Sequence, residues 1–193
     1  MEMNFDLLAS VSQFKPFHDE ENHLAWFKTL VPWVAPEAYL NIIYKPAAPA
    51  VLKSVAEKWR FPAPLISVLS MHNGALLFST AMNLYGVVAP PKLLNRQDRF
   101  LVPPFDIERE NQFWPLDRDR LLVIGGYRLG FRVCIDRNNC RVYAFHKKGP
   151  QLPVASWDSI EHWLNSEILR LAKLFDNEGR RIGPESETGP PAQ

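Results

Sequence analysis

Two alternating segments meet at a tight turn late in the chain. "GFRVCID" (130–136) and "CRVYAFH" (140–146) place apolar residues at every second position, and "RNN" between them leaves room for a turn alone. Strands joined this way are antiparallel, because a parallel neighbour needs a crossover of a dozen or more residues. Phe131, Val133 and Ile135 fall on one face, matched by Val142 and Ala144 on the partner strand. This hairpin rules against a doubly wound α/β fold and sets the class as α+β.

The rest of the chain extends the pattern. "RLLVIGG" (120–126), "ALLF" (75–78) and "MNLYG" (82–86) are short apolar runs bounded by turn residues, as strands are. Ahead of them the spacing is helical. Leu52, Val55, Ala56 and Trp59 follow the i, i+3, i+4, i+7 rule, and Leu65, Ile66 and Leu69 mark a helix over Pro64–Met71 that stops at His72-Asn73-Gly74. "DIERENQFW" (106–114) predicts a short helix with Asp106 at its start, and Pro91–Leu94 a single helical turn. "SWDSIEHWLNSEILRLAKLFD" (156–176) predicts the longest helix, with Ser156 as N-cap, Asp158 in its first turn and Ile160, Trp163, Leu164, Leu171 and Leu174 as its apolar stripe. Near the N-terminus, Asn4–Phe14 and about Asp19–Leu30 read as helices, the latter with Leu24, Phe27 and Leu30 on one face. The expected architecture is an antiparallel meander sheet flanked by helices. A helical extension is expected over 1–46, the α+β domain over 47–176 and a disordered tail over 177–193, where there is almost nothing to bury.

Charge narrows the partners. Across 193 residues, 22 basic and 21 acidic side chains leave a net charge of +1, which predicts no attraction to nucleic acid or membrane. The distribution is uneven: residues 92–148 hold twelve bases and seven acids, whereas 1–40 hold six acids and two bases. A basic middle between acidic ends suits either a partner surface or ends that lie against the middle. "MEMNFDLLAS" has neither a basic start nor a long apolar stretch, so no signal peptide is expected, and no window reaches the length of a membrane span. Cys134 and Cys140 are too few for a disulfide framework or a zinc site, although a turn centred on Asn138 would bring them nearly face to face; the expected location is the reducing cytoplasm.

Enzyme signatures are missing from the motif search. "GGYRLG" (125–130) does not match G-x-G-x-x-G and leads into a strand, so it offers no helix N-terminus to a phosphate. There is no Walker A, H-E-x-x-H or G-x-S-x-G motif. His18 and His23 are five apart, on different faces of any helix, and His72 reads as a helix-end residue. No catalytic, cofactor or metal residues are expected. The stretch from Asp106 to Arg120 is long, charged and aromatic, so Asp106, Glu108, Glu110, Trp114, Arg118 and Arg120 are the candidate partner-binding residues. The plainer reading is a self-paired, solvated "DRDR" loop beside a core tryptophan.

Taken in order, the motifs resemble the SUKH superfamily, which includes regulators of fungal cell-wall glucan synthesis and many bacterial immunity proteins. The resemblance spans Val51 to Leu174. It rests on Asn73-Gly74, Leu84-Tyr85-Gly86, Ile124-Gly125-Gly126, Cys134–Asp136, Val142-Tyr143 and Trp163-Leu164. The family often carries a glycine late in the hairpin turn, where this chain has Asn139-Cys140. The resemblance implies a non-catalytic α+β domain that binds another protein, in bacteria a toxin that it neutralises. It implies structural roles for Asn73, Gly74, Tyr85, Gly86, Gly125, Gly126 and Trp163: Gly74 ends a helix and Gly86 ends a strand. The alternatives are a regulator or scaffold of the same fold and, from a different class, an enzyme whose cluster is not visible in sequence.

Overall fold

The computed structural model describes residues 6–14, 17–19, 25–30, 39–88, 104–114, 117–148 and 152–191, with backbone alone for 17–19, 25–30 and 39. The helical turn expected at Pro91–Leu94 lies outside them, as does His23. The helices are α1 (Leu7–Ser10), α2 (Pro49–Trp59), α3 (Ala63–Met71), α4 (Ile107–Gln112) and α5 (Ile160–Ala172), with a 3₁₀ turn at Glu185–Thr188. The described strands are β1 (Phe17–Asp19), β2 (Ala25–Leu30), β3 (Tyr39–Tyr44), β4 (Ala75–Leu77), β5 (Met82–Leu84), β6 (Leu121–Tyr127), β7 (Phe131–Asp136), β8 (Val142–His146) and β9 (Ala155–Trp157). They lie side by side in chain order in one sheet, each antiparallel to the next. The protein is therefore α+β, an antiparallel meander flanked by helices.

Both ends differ from the sequence expectation. Residues 25–30 are strand where a helix was expected, and β3 runs on beside β2 to pair with β4. Ala-Trp-Phe-Lys-Thr-Leu is rich in aromatic and β-branched residues, and a long-range strand partner outweighs the helical spacing of three apolar positions. Among the described residues strand therefore replaces the expected helical extension, and the four-residue α1 is the helix that remains of it. At the other end, the described residues 177–191 fold back onto the domain. The amides of Ile182 and Gly183 donate to the Leu174 carbonyl, Phe175 bridges Arg181, and Thr188 is buried. Composition weighs side-chain burial and misses these backbone bonds. The cap of α5 also shifts: Ser159 accepts from the His162 amide at 3.1 Å, while Ser156 lies in β9 opposite Tyr143.

Within the sheet the expected hairpin is in place, with Val133 opposite Ala144 and Ile135 opposite Val142. Cys134 faces Tyr143, and Cys140 sits in the turn at φ +60°, so the two cysteines do not face each other and both are free. Cys140 occupies the left-handed position that favours glycine in such a turn. The β4–β5 turn is more strained. Phe78, Ser79 and Thr80 all have positive φ (54°, 54° and 68°), each at a cost of about 1–2 kcal/mol. Asn41 Oδ1 accepts from the Phe78 amide and the Leu40 carbonyl from that of Ser79, while the Phe78 ring packs between Phe14 and Phe175. The main core gathers α1, α2, α3 and α5 against the sheet, around fully buried Trp163, Leu65, Leu69, Leu77 and Met82. A small second cluster, Ile42, Tyr44 and Leu76, covers the other face of β3 and β4.

Candidate functional site

The charged stretch from Asp106 onward begins as α4, a short helix fastened at nearly every turn. Asp106, at the helix start that the sequence predicts, caps it by accepting from the Glu108 amide at 2.9 Å. Gly86 bridges its entrance: the Gly86 amide donates to the Phe105 carbonyl, and the Ile107 amide to that of Gly86, both at 2.9 Å. Buried Asn111 then acts as a strand partner. Strand β6 bulges between Val123 and Gly125, and the Asn111 amide group fills the gap, donating to the Val123 carbonyl and accepting from its amide at 2.8 Å each.

The candidate residues are mostly turned inward. Glu108 accepts from Lys58 Nζ at 2.7 Å and from the Trp59 indole at 2.8 Å, which joins α4 to the end of α2. Glu110 pairs with Arg132 on β7 at 2.8 Å. Trp114 is buried. Arg118 donates to the carbonyls of Trp114 and Gln112, and Arg120 donates to Asp136, whose side chain is fully buried, at 2.7 Å. Arg137, which the sequence did not single out, closes the same corner. Its guanidinium donates to the carbonyls of Trp59 and Arg118 and so ties the β7–β8 turn to α2. The six candidates therefore hold one end of the sheet together. What α4 and its C-cap present outward is Arg109, Gln112 and Phe113, the last 77% exposed. Sequence reading passed over Phe113 because nothing local separates it from the buried Trp114 beside it.

Asn73, Gly74 and Gly86, three of the residues named for the resemblance, meet at one joint. Gly74 leaves α3 at φ +93°, a conformation that side-chain-bearing residues avoid. The Asn73 side chain then clasps Val87 from both sides, accepting from its amide and donating to its carbonyl at 2.8 Å each. Gly86 is required for space and not for φ, since a Cβ there would collide with the Asn73 carbonyl. The two glycines of β6 face opposite sides of the sheet: Gly125 lies against the Trp163 ring, whereas Gly126 faces the Tyr85 hydroxyl. Trp163 in turn donates to Tyr127 Oη at 3.1 Å, and Tyr127 donates to the buried carboxylate of Glu167 at 2.8 Å.

Across the sheet the row runs Asn83, Gly126, Arg132, and the two outer members, Asn83 and Arg132, line a cavity of about 340 Å³. Thr80, Tyr85, Phe105, Glu110, Arg128 and Lys147 contribute to its lining. Strand alternation placed Arg132 opposite the Phe131 face, but the register that brings it beside Asn83 was not readable locally. Among the described residues no three His, Cys, Asp or Glu gather as a metal site, and no helix is long and apolar enough to cross a membrane. No protein-family model and no curated protein matches this sequence.

Proposed function

We propose that this chain is a non-catalytic protein-binding domain, resembling the immunity proteins of the SUKH superfamily, that captures and neutralises a toxin in the cytoplasm. The observation that carries this reading is the way α4 is held. Its cap, the Glu108 bonds to α2, the Asn111 clasp on β6 and the Glu110–Arg132 pair fix the helix before any partner arrives. An exposed aromatic ring, Phe113, stands at its end with Arg109 and Gln112 beside it. A rigid aromatic flanked by polar groups is the usual composition of an interface hot spot, and a surface ordered in advance loses little entropy on binding. The meander fold and the meeting of Asn73, Gly74 and Gly86 at one joint support the family side of the reading.

The test is affinity purification of the tagged chain from its native host in high salt, beside a Phe113→Asp variant. A stoichiometric partner is expected with the wild type, at least about tenfold depleted with the variant at an unchanged melting temperature. The captured protein should lose its toxic activity when the wild-type chain is added. Absence of a partner, or equal capture by Phe113→Asp, overturns the proposal. Charge reversal at Glu108 or Glu110 is a poor test of recognition, because both carboxylates hold α4 in place.

A further inference from the structure

We propose that the cavity lined by Asn83, Tyr85 and Arg132 is a binding site for a small organic anion, a carboxylate or phosphate monoester that also carries a hydroxyl or amino donor. Tyr85 is 2% exposed, lines the cavity, and its hydroxyl makes no hydrogen bond among the described residues. Burial keeps that phenol protonated by raising its pKa, so it faces a ligand as a donor. Asn83, 7% exposed, gives its amide nitrogen a distant partner in the Thr80 carbonyl at 3.4 Å and leaves Oδ1 buried with none. The reversed amide would set Oδ1 against that carbonyl oxygen, so the acceptor is the unmatched end. Native interiors rarely leave a buried acceptor such as Asn83 Oδ1 unmatched.

The charges give the ligand its sign. Arg132 is half-buried and uses one nitrogen on Glu110, leaving further N–H donors of its planar fork for a ligand. Arg128 and Lys147 are exposed lining residues and pair with no carboxylate among the described residues. Three cations and one carboxylate make the hollow positive. Guanidinium and phenol donors suit a carboxylate or phosphate oxygen, and Asn83 Oδ1 needs a donor from the same molecule. Phe105, tilted 54° from the Tyr85 ring at 5.6 Å, adds an apolar wall. The volume is that of a small-molecule pocket and not of a protein interface. The site shares Glu110 with α4 but does not involve the exposed Phe113, so it needs no protein partner.

The experiment is a titration of the full chain, followed by the amide chemical shifts of Asn83, Gly130 and Arg132. The probes are malate, glycerol 3-phosphate and sodium chloride at matched ionic strength. Saturable shifts are expected with malate or glycerol 3-phosphate, and whichever saturates at lower concentration assigns the acid group. Chloride is expected to give none. Tyr85→Phe, which removes an unbonded hydroxyl, should weaken binding about tenfold at an unchanged melting temperature, and the Arg128→Ala/Lys147→Ala pair at least as much. Shifts that fail to saturate, that chloride reproduces, or that persist unweakened in both variants overturn the site.

Discussion

Helix α4 and the C-terminal segment after α5 are both short, polar stretches laid on the sheet, but they are held in different ways. Four separate contacts fix α4: a side-chain cap, the Glu108 bonds to α2, an amide clasp on a bulged strand and an ion pair to β7. Much of the C-terminal segment depends on one side chain. Arg170 pairs with Glu167 at 2.6 Å, and the same guanidinium donates to the carbonyls of Glu187 and Gly189. Redundant fastening lets α4 lose one contact and stay in place. Residues 182 and 183 are also tied to the Leu174 carbonyl, but the docking of 187–189 is linked to the core through one charge, which also faces a buried carboxylate.

The contrast is broken most forcefully at Arg170. Arg170→Ala leaves Glu167, 1% exposed, with the Tyr127 hydroxyl as its remaining side-chain donor. Removing one member of a buried pair costs about 3–5 kcal/mol, and the backbone bonds to residues 187 and 189 go with it. Urea unfolding should show a loss of that size, and limited proteolysis should cut between 180 and 191 in the variant alone. The Glu167→Leu/Arg170→Leu double variant should regain most of the stability while the segment stays open to protease. A loss under about 1 kcal/mol would show that other contacts hold the segment.

An intermediate effect is expected at Asn111. Asn111→Ala removes one contact of four but orphans the amide and carbonyl of Val123 at the bulge, and an unmatched buried group costs about 1–3 kcal/mol. The expected loss is about 2–3 kcal/mol by denaturation, with hydrogen exchange accelerated at Val123 and α4 still helical. If α4 melts as a whole, its other contacts are not independent and the contrast with the C-terminal segment fails.

What was legible in the sequence was whatever is local. Alternation on either side of "RNN" fixed the β7–β8 hairpin, and Asp106 was placed at the start of α4 although its capping bond was not foreseen. Residues 25–30 were misread because their partner, β3, lies some fifteen residues on and their own spacing also fits a helix. Glu167 was absent from the predicted stripe of α5 because a carboxylate is taken for a solvated residue until its partner, Tyr127, is known to lie across the core. For Glu108 and Glu110 the residue types pointed outward and the register turned them inward, whereas Arg118 and Arg120 stay exposed while bonding back to the chain. The Asn83–Gly126–Arg132 row crosses three strands, and no single stretch of chain contains it.

The smallest effect is expected at Glu108. Hydrogen bonding from Lys58 holds its carboxyl below the ordinary glutamate range, with the Trp59 indole adding to that and burial opposing it. Lys58 is largely exposed, so Glu108→Gln should cost less than about 1 kcal/mol at neutral pH. A group whose folded-state pKa is depressed contributes stability above its unfolded value and loses it as pH falls through the folded one. The gap between wild type and Glu108→Gln should therefore be full at pH 7 and close below the free-glutamate pKa of about 4.3. Urea midpoints taken from pH 7 to pH 3 check this. A gap that persists at pH 3 would assign the effect to the shape of the side chain and not its charge. A gap as large as that of Arg170→Ala would put the whole of α4 on this one contact and erase its difference from the C-terminal segment.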